Sequence, residues 1–163
     1  MSTENVKKLE LGIKKAAFGE GMSENASNEE LQILVNEGMD LVEKAISSGE
    51  MDVLERAFDY FLEESPDNGL GNGVCESLES EIFQYFSWDQ IFNVLKLKLS
   101  KLIELNIDRA IGFACACDIK EVEELMRTLP LAEANVFIAK LKDSCREDLA
   151  NQITDLQEEM KSW

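Results

Sequence analysis

The sequence predicts an all-α fold, an antiparallel stack of about eight or nine short helices similar to an irregular α-solenoid or helical-repeat protein. Apolar side chains recur every three or four residues along most of the 163-residue chain. Leu and Glu are common and β-branched runs are short, a composition that favours helix over strand. Pro66 and Pro130 are the only prolines, so few positions interrupt a helix.

The first three helices follow from apolar spacing and one start signal. Ser27 and Glu30 match a capping box, in which each side chain bonds the other residue's backbone N–H. Gly38 lies inside the second helix at a cost of about 1 kcal/mol relative to Ala. We therefore expect it to mark a close contact with another backbone. These helices cover about residues 4–18, 27–46 and 51–64.

The remaining helices follow from further capping pairs. Ser87 with Gln90 opens the fifth helix, and Asp118 with Glu121 opens the seventh. Residues 95–99 alternate as in a strand, but they lie within a longer helical period, so we predict helix there. The fourth to ninth helices cover about residues 74–86, 87–103, 108–116, 118–129, 132–144 and 147–160.

A Pro- and Gly-rich segment separates the third and fourth helices. We predict a flexible loop near residues 65–73 within a single helical domain, 1–163. Gly69, Gly71 and Gly73 resemble a phosphate loop only in composition, because no Lys-Ser or Lys-Thr follows them. The segment therefore indicates a turn and not a nucleotide site.

The net charge of −17 is concentrated in one part of the chain. Residues 19–90 hold 18 acidic side chains but only Lys44 and Arg56 as bases, a net charge of −16. Such a segment repels phosphate, so we expect no direct binding to nucleic acid or to anionic membranes. A basic protein is the complementary partner, and solubility alone is the alternative reason for the charge.

The residues that several kinds of catalytic and metal site require are absent from the sequence. The chain has no His, which removes Ser-His-Asp, Cys-His and HExxH catalysis. Its four cysteines show no zinc-site spacing, so we expect free thiols in a reducing compartment. No apolar run is long enough to span a membrane and no signal peptide is evident. We expect a cytoplasmic protein with no catalytic residues, metal or cofactor; the sequence gives no signal for oligomeric state.

Acidic stripes on the second and third helices are the candidate binding residues. Each set falls on one side of its helix, away from the apolar face. We expect adjacent helices to present a row of carboxylates with little internal neutralisation. Tyr60 would add an interface anchor if it were exposed beside this row, as would Tyr85. The candidate residues are Glu37, Asp40, Glu43, Asp52, Glu55, Asp59, Tyr60 and Glu63.

Residues 41–66, LVEKAISSGEMDVLERAFDYFLEESP, resemble part of a known protein class. A helix ends in Ser-Gly, and an acidic, apolar helix then leads to an aromatic pair and a Glu-Ser-Pro stop. This pattern is similar to the helical, HEAT-like immunity proteins of bacterial toxin–immunity systems, including contact-dependent growth inhibition. The resemblance implies a small cytosolic protein that neutralises a cognate toxin, frequently a basic nuclease. It carries no catalytic motif and assigns no residue roles.

We therefore expect an immunity protein whose acidic surface binds and neutralises a cognate toxin domain. The first alternative is a helical-repeat adaptor or regulatory scaffold without inhibitory activity. The second is an Mg²⁺-dependent all-α phosphohydrolase, for which Glu121 and Glu124 would supply half of a metal motif. The other half is missing at a sensible distance, which favours a solvated helix face for this pair.

Overall fold

A computed structural model describes residues 4–21, 23–63 and 73–163 of the chain. The described residues form nine α-helices and no strand, so the predicted all-α class is confirmed. Neighbouring helix pairs make antiparallel contacts. The helices are α1 (Glu4–Phe18), α2 (Asn28–Ile46), α3 (Met51–Glu63), α4 (Val74–Tyr85), α5 (Trp88–Leu105), α6 (Ile107–Ala114), α7 (Ile119–Arg127), α8 (Leu131–Ser144) and α9 (Glu147–Met160).

All three predicted capping pairs form hydrogen bonds. The Glu30 backbone N–H donates to Ser27 Oγ at 3.2 Å, and the Ser27 N–H donates to Glu30 at 3.3 Å. The same reciprocal bonds join Ser87 to Gln90 and Asp118 to Glu121. These caps fix where α2, α5 and α7 begin.

Small differences from the predicted boundaries have local causes. The sixth helix begins at Ile107 and not at 108, because Asn106 Oδ1 accepts a hydrogen bond from the Arg109 N–H at 3.3 Å. The seventh ends at Arg127, two residues early, where the Thr128 hydroxyl donates to the Leu125 carbonyl. The predicted loop near 65–73 falls almost wholly on residues 64–72, outside the described residues.

The chain divides into two compact units, Met1–Val94 and Leu95–Trp163. Compact units of this kind also occur inside single folding domains, so the prediction of one domain stays a prediction. Among the described residues, no helix combines the length and apolar character needed to cross a bilayer.

In the first unit, α1 and α2 form the most extensive helix pair, and two glycines allow it. A Cβ added to Gly38 would lie 2.6 Å from the Gly12 carbonyl oxygen and 2.7 Å from the Ala16 nitrogen. A Cβ on Gly12 would meet the Gly38 oxygen at the same distance. Gly38 therefore marks the close backbone contact that its position in the sequence predicts.

The apolar faces of the helices form the cores. In the first unit, fully buried side chains include Leu9, Ile13, Ile46, Leu54, Phe58, Phe61, Leu78 and Ile82. In the second unit they include Leu99, Phe113, Leu125, Phe137, Leu141 and Ile153. No polar or charged residue is buried among the described residues. The candidate binding carboxylates therefore all lie on the surfaces of the helices.

Candidate protein-binding surface

The α2 carboxylates, Glu37, Asp40 and Glu43, are exposed. Burial of Gly38, Val42, Ala45 and Ile46 on the other side of α2 holds them outward. Glu43 accepts a hydrogen bond from Tyr85 Oη of α4 at 3.0 Å. Glu37 and Asp40 have no hydrogen bond or ion pair within the described part of the chain. Two of the three predicted α2 residues thus remain free to meet a partner.

A second carboxylate of α4, Glu81, lies near Glu43. Desolvation, followed by repulsion from Glu43, raises the pKa of the Glu81 carboxyl above its ordinary value. Its Oε2 atom is buried and has no hydrogen-bond partner among the described residues. The hydrogen bond to Glu43 raises the pKa of the Tyr85 hydroxyl as well. Glu43 is therefore part of a small polar cluster with α4, which the spacing along α2 alone could not show.

The α3 carboxylates, Asp52, Glu55, Asp59 and Glu63, divide into two pairs. Asp52 and Glu55 are exposed and, among the described residues, have no charged or hydrogen-bonding partner. Asp59 and Glu63 lie 4.0 and 3.4 Å from Arg56 Nη1. The prediction of little internal neutralisation is therefore wrong for this half of α3.

Arg56 also joins α3 to α1. Its Nε atom donates to Glu10 Oε1 at 3.2 Å, across 46 positions of sequence. One guanidinium is thus shared by three carboxylates, Glu10, Asp59 and Glu63. These contacts place the end of α3 beside α1, whereas Glu43 lies beside α4. The two ends of the expected row, Glu43 on α2 and the pair Asp59 and Glu63 on α3, thus have different neighbouring helices.

Tyr60 is not the exposed anchor that the prediction required. Only 4% of its surface is exposed. Arg56 Cζ lies 4.3 Å from the centroid of its ring, and the ring packs with the apolar face of α3. Burial raises the pKa of Tyr60, an effect that the charge of Arg56 opposes. A signal was present in the sequence, because Tyr60 follows the buried Val53 and Ala57 at helical spacing.

Tyr85, the other tyrosine considered as an exposed interface anchor, is half-buried, and its hydroxyl donates a hydrogen bond to Glu43, so it is exposed only in part.

Glu121 and Glu124, the half motif considered for Mg²⁺, have structural partners. Glu121 Oε1 accepts from the Asp118 N–H at 3.0 Å as part of the α7 capping box. Glu124 Oε1 pairs with Lys96 Nζ of α5 at 2.8 Å. Within the described residues, no three His, Cys, Asp or Glu side chains are grouped to hold a metal ion.

Of the candidate binding carboxylates, those that stay exposed and without a partner in the described structure are Glu37, Asp40, Asp52 and Glu55, here called the open carboxylates. Sequence reasoning missed one other feature, an exposed face of α1 that carries lysines beside apolar side chains. Its signal was present in the spacing of Lys7, Leu11, Lys14 and Phe18.

Comparison with known proteins gave no match to a family model, a curated protein or a solved structure. The resemblance of residues 41–66 to helical immunity proteins therefore stays a prediction.

Proposed function

We propose that this chain is a cytoplasmic immunity protein that binds and neutralises a basic toxin domain, with the open carboxylates of α2 and α3 as the contact residues. The supporting observation is that Glu37, Asp40, Asp52 and Glu55 lie on helices, exposed, and without a neutralising cation in the described structure. Like charges in one segment destabilise a fold slightly, and a cationic partner would offset that cost.

The physical role of these carboxylates would be to steer and hold the partner. A nuclease that binds phosphates presents Lys and Arg in its active site, and a carboxylate surface competes for the same groups. Complementary charge raises association rates from about 10⁵–10⁶ to as much as 10⁸–10⁹ M⁻¹s⁻¹ at low salt. Inhibition by this route needs no catalytic residue on the inhibitor.

The first test is genetic. Toxin and immunity genes of this class lie side by side, so the probe is the product of the gene immediately upstream. Its expression alone should stop growth, and co-expression of this chain should restore growth and give a complex that co-purifies. A harmless upstream product that does not bind would contradict the proposal. Binding without any protection of growth would favour the adaptor instead.

The second test locates the contact. The combined variant Glu37→Lys, Asp40→Lys and Glu55→Lys should weaken binding by at least about tenfold and flatten its salt dependence. Asp52 is left unchanged because a carboxylate in the first turn of α3 stabilises the helix. The matched control is Glu104→Lys, Asp143→Lys and Asp155→Lys, three exposed carboxylates on α5, α8 and α9. Equal loss in both variants would remove α2 and α3 from the contact.

A further inference from the structure

The exposed side of α1 combines positive charge with apolar surface. Lys7, Leu11, Lys14 and Phe18 follow one another at intervals of four, three and four residues, so they share one line along the helix. Leu11 is 46% exposed and Phe18 is 58% exposed. Lys8 and Lys15 lie beside this line. We call these six residues the α1 cationic face; it points away from the buried Leu9, Ile13 and Ala16.

The four lysines of this face are available to a partner. Within the described part of the chain, no ion pair or side-chain hydrogen bond engages their ammonium groups. Elsewhere in the same unit the charge is strongly negative, because residues 19–90 carry a net charge of −16. The α1 cationic face is therefore a positively charged patch in a unit that is otherwise acidic.

A shallow groove lies on this face. Leu11 of α1 and Leu41 of α2 line it together with Glu4, Lys7 and Lys8, and its volume is about 450 Å³. Its apolar lining with lysines at the edge suits an apolar side chain flanked by carboxylates. From Lys7 to Phe18 the face is about 17 Å long, the rise of 11 helical residues.

We propose that the α1 cationic face docks an acidic amphipathic helix of a protein partner, with apolar side chains against Leu11, Leu41 and Phe18 and carboxylates beside the lysines. Leu11 and Phe18 are seven residues apart, and two turns of a partner helix place side chains at the same interval. This partner is opposite in charge to the basic toxin proposed above, so the two surfaces serve different ligands.

The charge distribution favours a peptide over a lipid surface. A membrane is a wide plane of headgroups, and it would bring anionic lipid within a Debye length, about 8 Å at physiological salt, of the acidic residues in the same unit. A single helix covers the cationic face alone and avoids that repulsion. The exposed apolar side chains of Leu11 and Phe18 also favour a folded peptide segment over a ligand that offers only phosphate groups.

The test uses the full chain and a designed probe, a fluorescein-labelled helical peptide of about 18 residues with Leu on one face and Glu on its flanks. Fluorescence anisotropy at roughly 25 and 250 mM NaCl should show binding that weakens with salt. Two peptide controls, with Lys in place of Glu and with Ser in place of Leu, should bind at least about tenfold more weakly. Amide chemical shifts should change along α1.

Variants of the protein then assign the surface. Charge reversal of Lys7, Lys8, Lys14 and Lys15 to Glu should weaken peptide binding at least about tenfold. The matched control reverses Lys101, Lys120, Lys140 and Lys142 and should change affinity less than about twofold. The pair Leu11→Gln and Phe18→Gln keeps every charge and should also reduce binding, which guards against failure of the reversed variant to fold.

Three results would overturn the proposal: no peptide binding at low salt, equal loss in both lysine variants, or retained affinity in the Leu11 and Phe18 variant. Binding to phosphatidylglycerol vesicles without binding to the peptide would assign the face to lipid instead. None of these results depends on the toxin experiment, so the two proposals can fail separately.

Discussion

At the scale of single residues, two glycines set how closely α1 and α2 approach. Gly12 and Gly38 leave room for the carbonyl oxygen of the opposite helix, where a Cβ would come within 2.6 Å of it. Backbone atoms cannot move aside as a flexible side chain can. A methyl group at either position must therefore separate the two helices along the most extensive pair in the first unit.

Gly38→Ala should lower the free energy of unfolding by about 1–3 kcal/mol, because overpacking outweighs the gain of about 1 kcal/mol in helix propensity. Urea denaturation of the full chain measures this change. The control is Gly112→Ala in α6, where an added Cβ has no atom within 4 Å, so the propensity gain should appear as stabilisation. Equal and positive changes in both variants would show that α1 and α2 do not pack this closely.

Glu81 provides a pH-dependent test at the same scale. Because burial and Glu43 raise its pKa, the folded protein holds this proton more tightly than the unfolded chain does. The stability that this group contributes is full below the ordinary pKa of 4.5 and is lost as pH rises through the folded-state value.

Glu81→Gln should therefore gain stability over the unmodified protein as pH rises from 4.5 toward neutrality, because the amide cannot ionise. Melting temperatures measured across this range would show the two curves diverging. Glu37→Gln removes the same charge from an exposed position of α2 and serves as the control. If both variants follow one curve, general charge reduction and not the site of Glu81 would explain the gain.

At the scale of elements, the sequence predicted where helices begin better than it predicted which helices contact one another. Helix starts depend on residues three positions apart, as in the capping pair of Ser27 and Glu30, so they are legible within a short window. The ion-pair partners of Arg56 cannot be predicted from a short window, because Glu10 lies 46 positions away and contacts Arg56 only where α1 packs against α3. This is why the spacing along α3 did not predict the neutralisation of Asp59 and Glu63 by a guanidinium that also binds α1.

The boundary between the two compact units was also invisible in the sequence. It falls between Val94 and Leu95, inside the continuous helix α5. The apolar pattern of α5 continues through the boundary without Gly or Pro, and Val94, Leu95 and Leu99 are all buried. Composition marks linkers and loops, but it does not mark where contacts within one helix change partners.

At the scale of the whole molecule, the net charge of −17 opposes folding through self-repulsion. The charge-reversed variant of Glu37, Asp40 and Glu55 should therefore melt at a higher temperature than the unmodified protein at low salt, while it loses toxin binding. Added NaCl should raise the melting temperature of the unmodified protein more than that of the variant, because salt screens the repulsion that the variant has already relieved. Reversal of Glu104, Asp143 and Asp155 should stabilise less, because residues 111–163 carry a net charge of only −5 and residues 91–110 a net charge of +2.

A higher melting temperature together with lost binding would mean that the open carboxylates reduce stability and are kept for their partner. A variant that melts at the same or a lower temperature and still binds the toxin would show that these carboxylates neither reduce stability nor contact the partner, and plain solubility would then explain the charge.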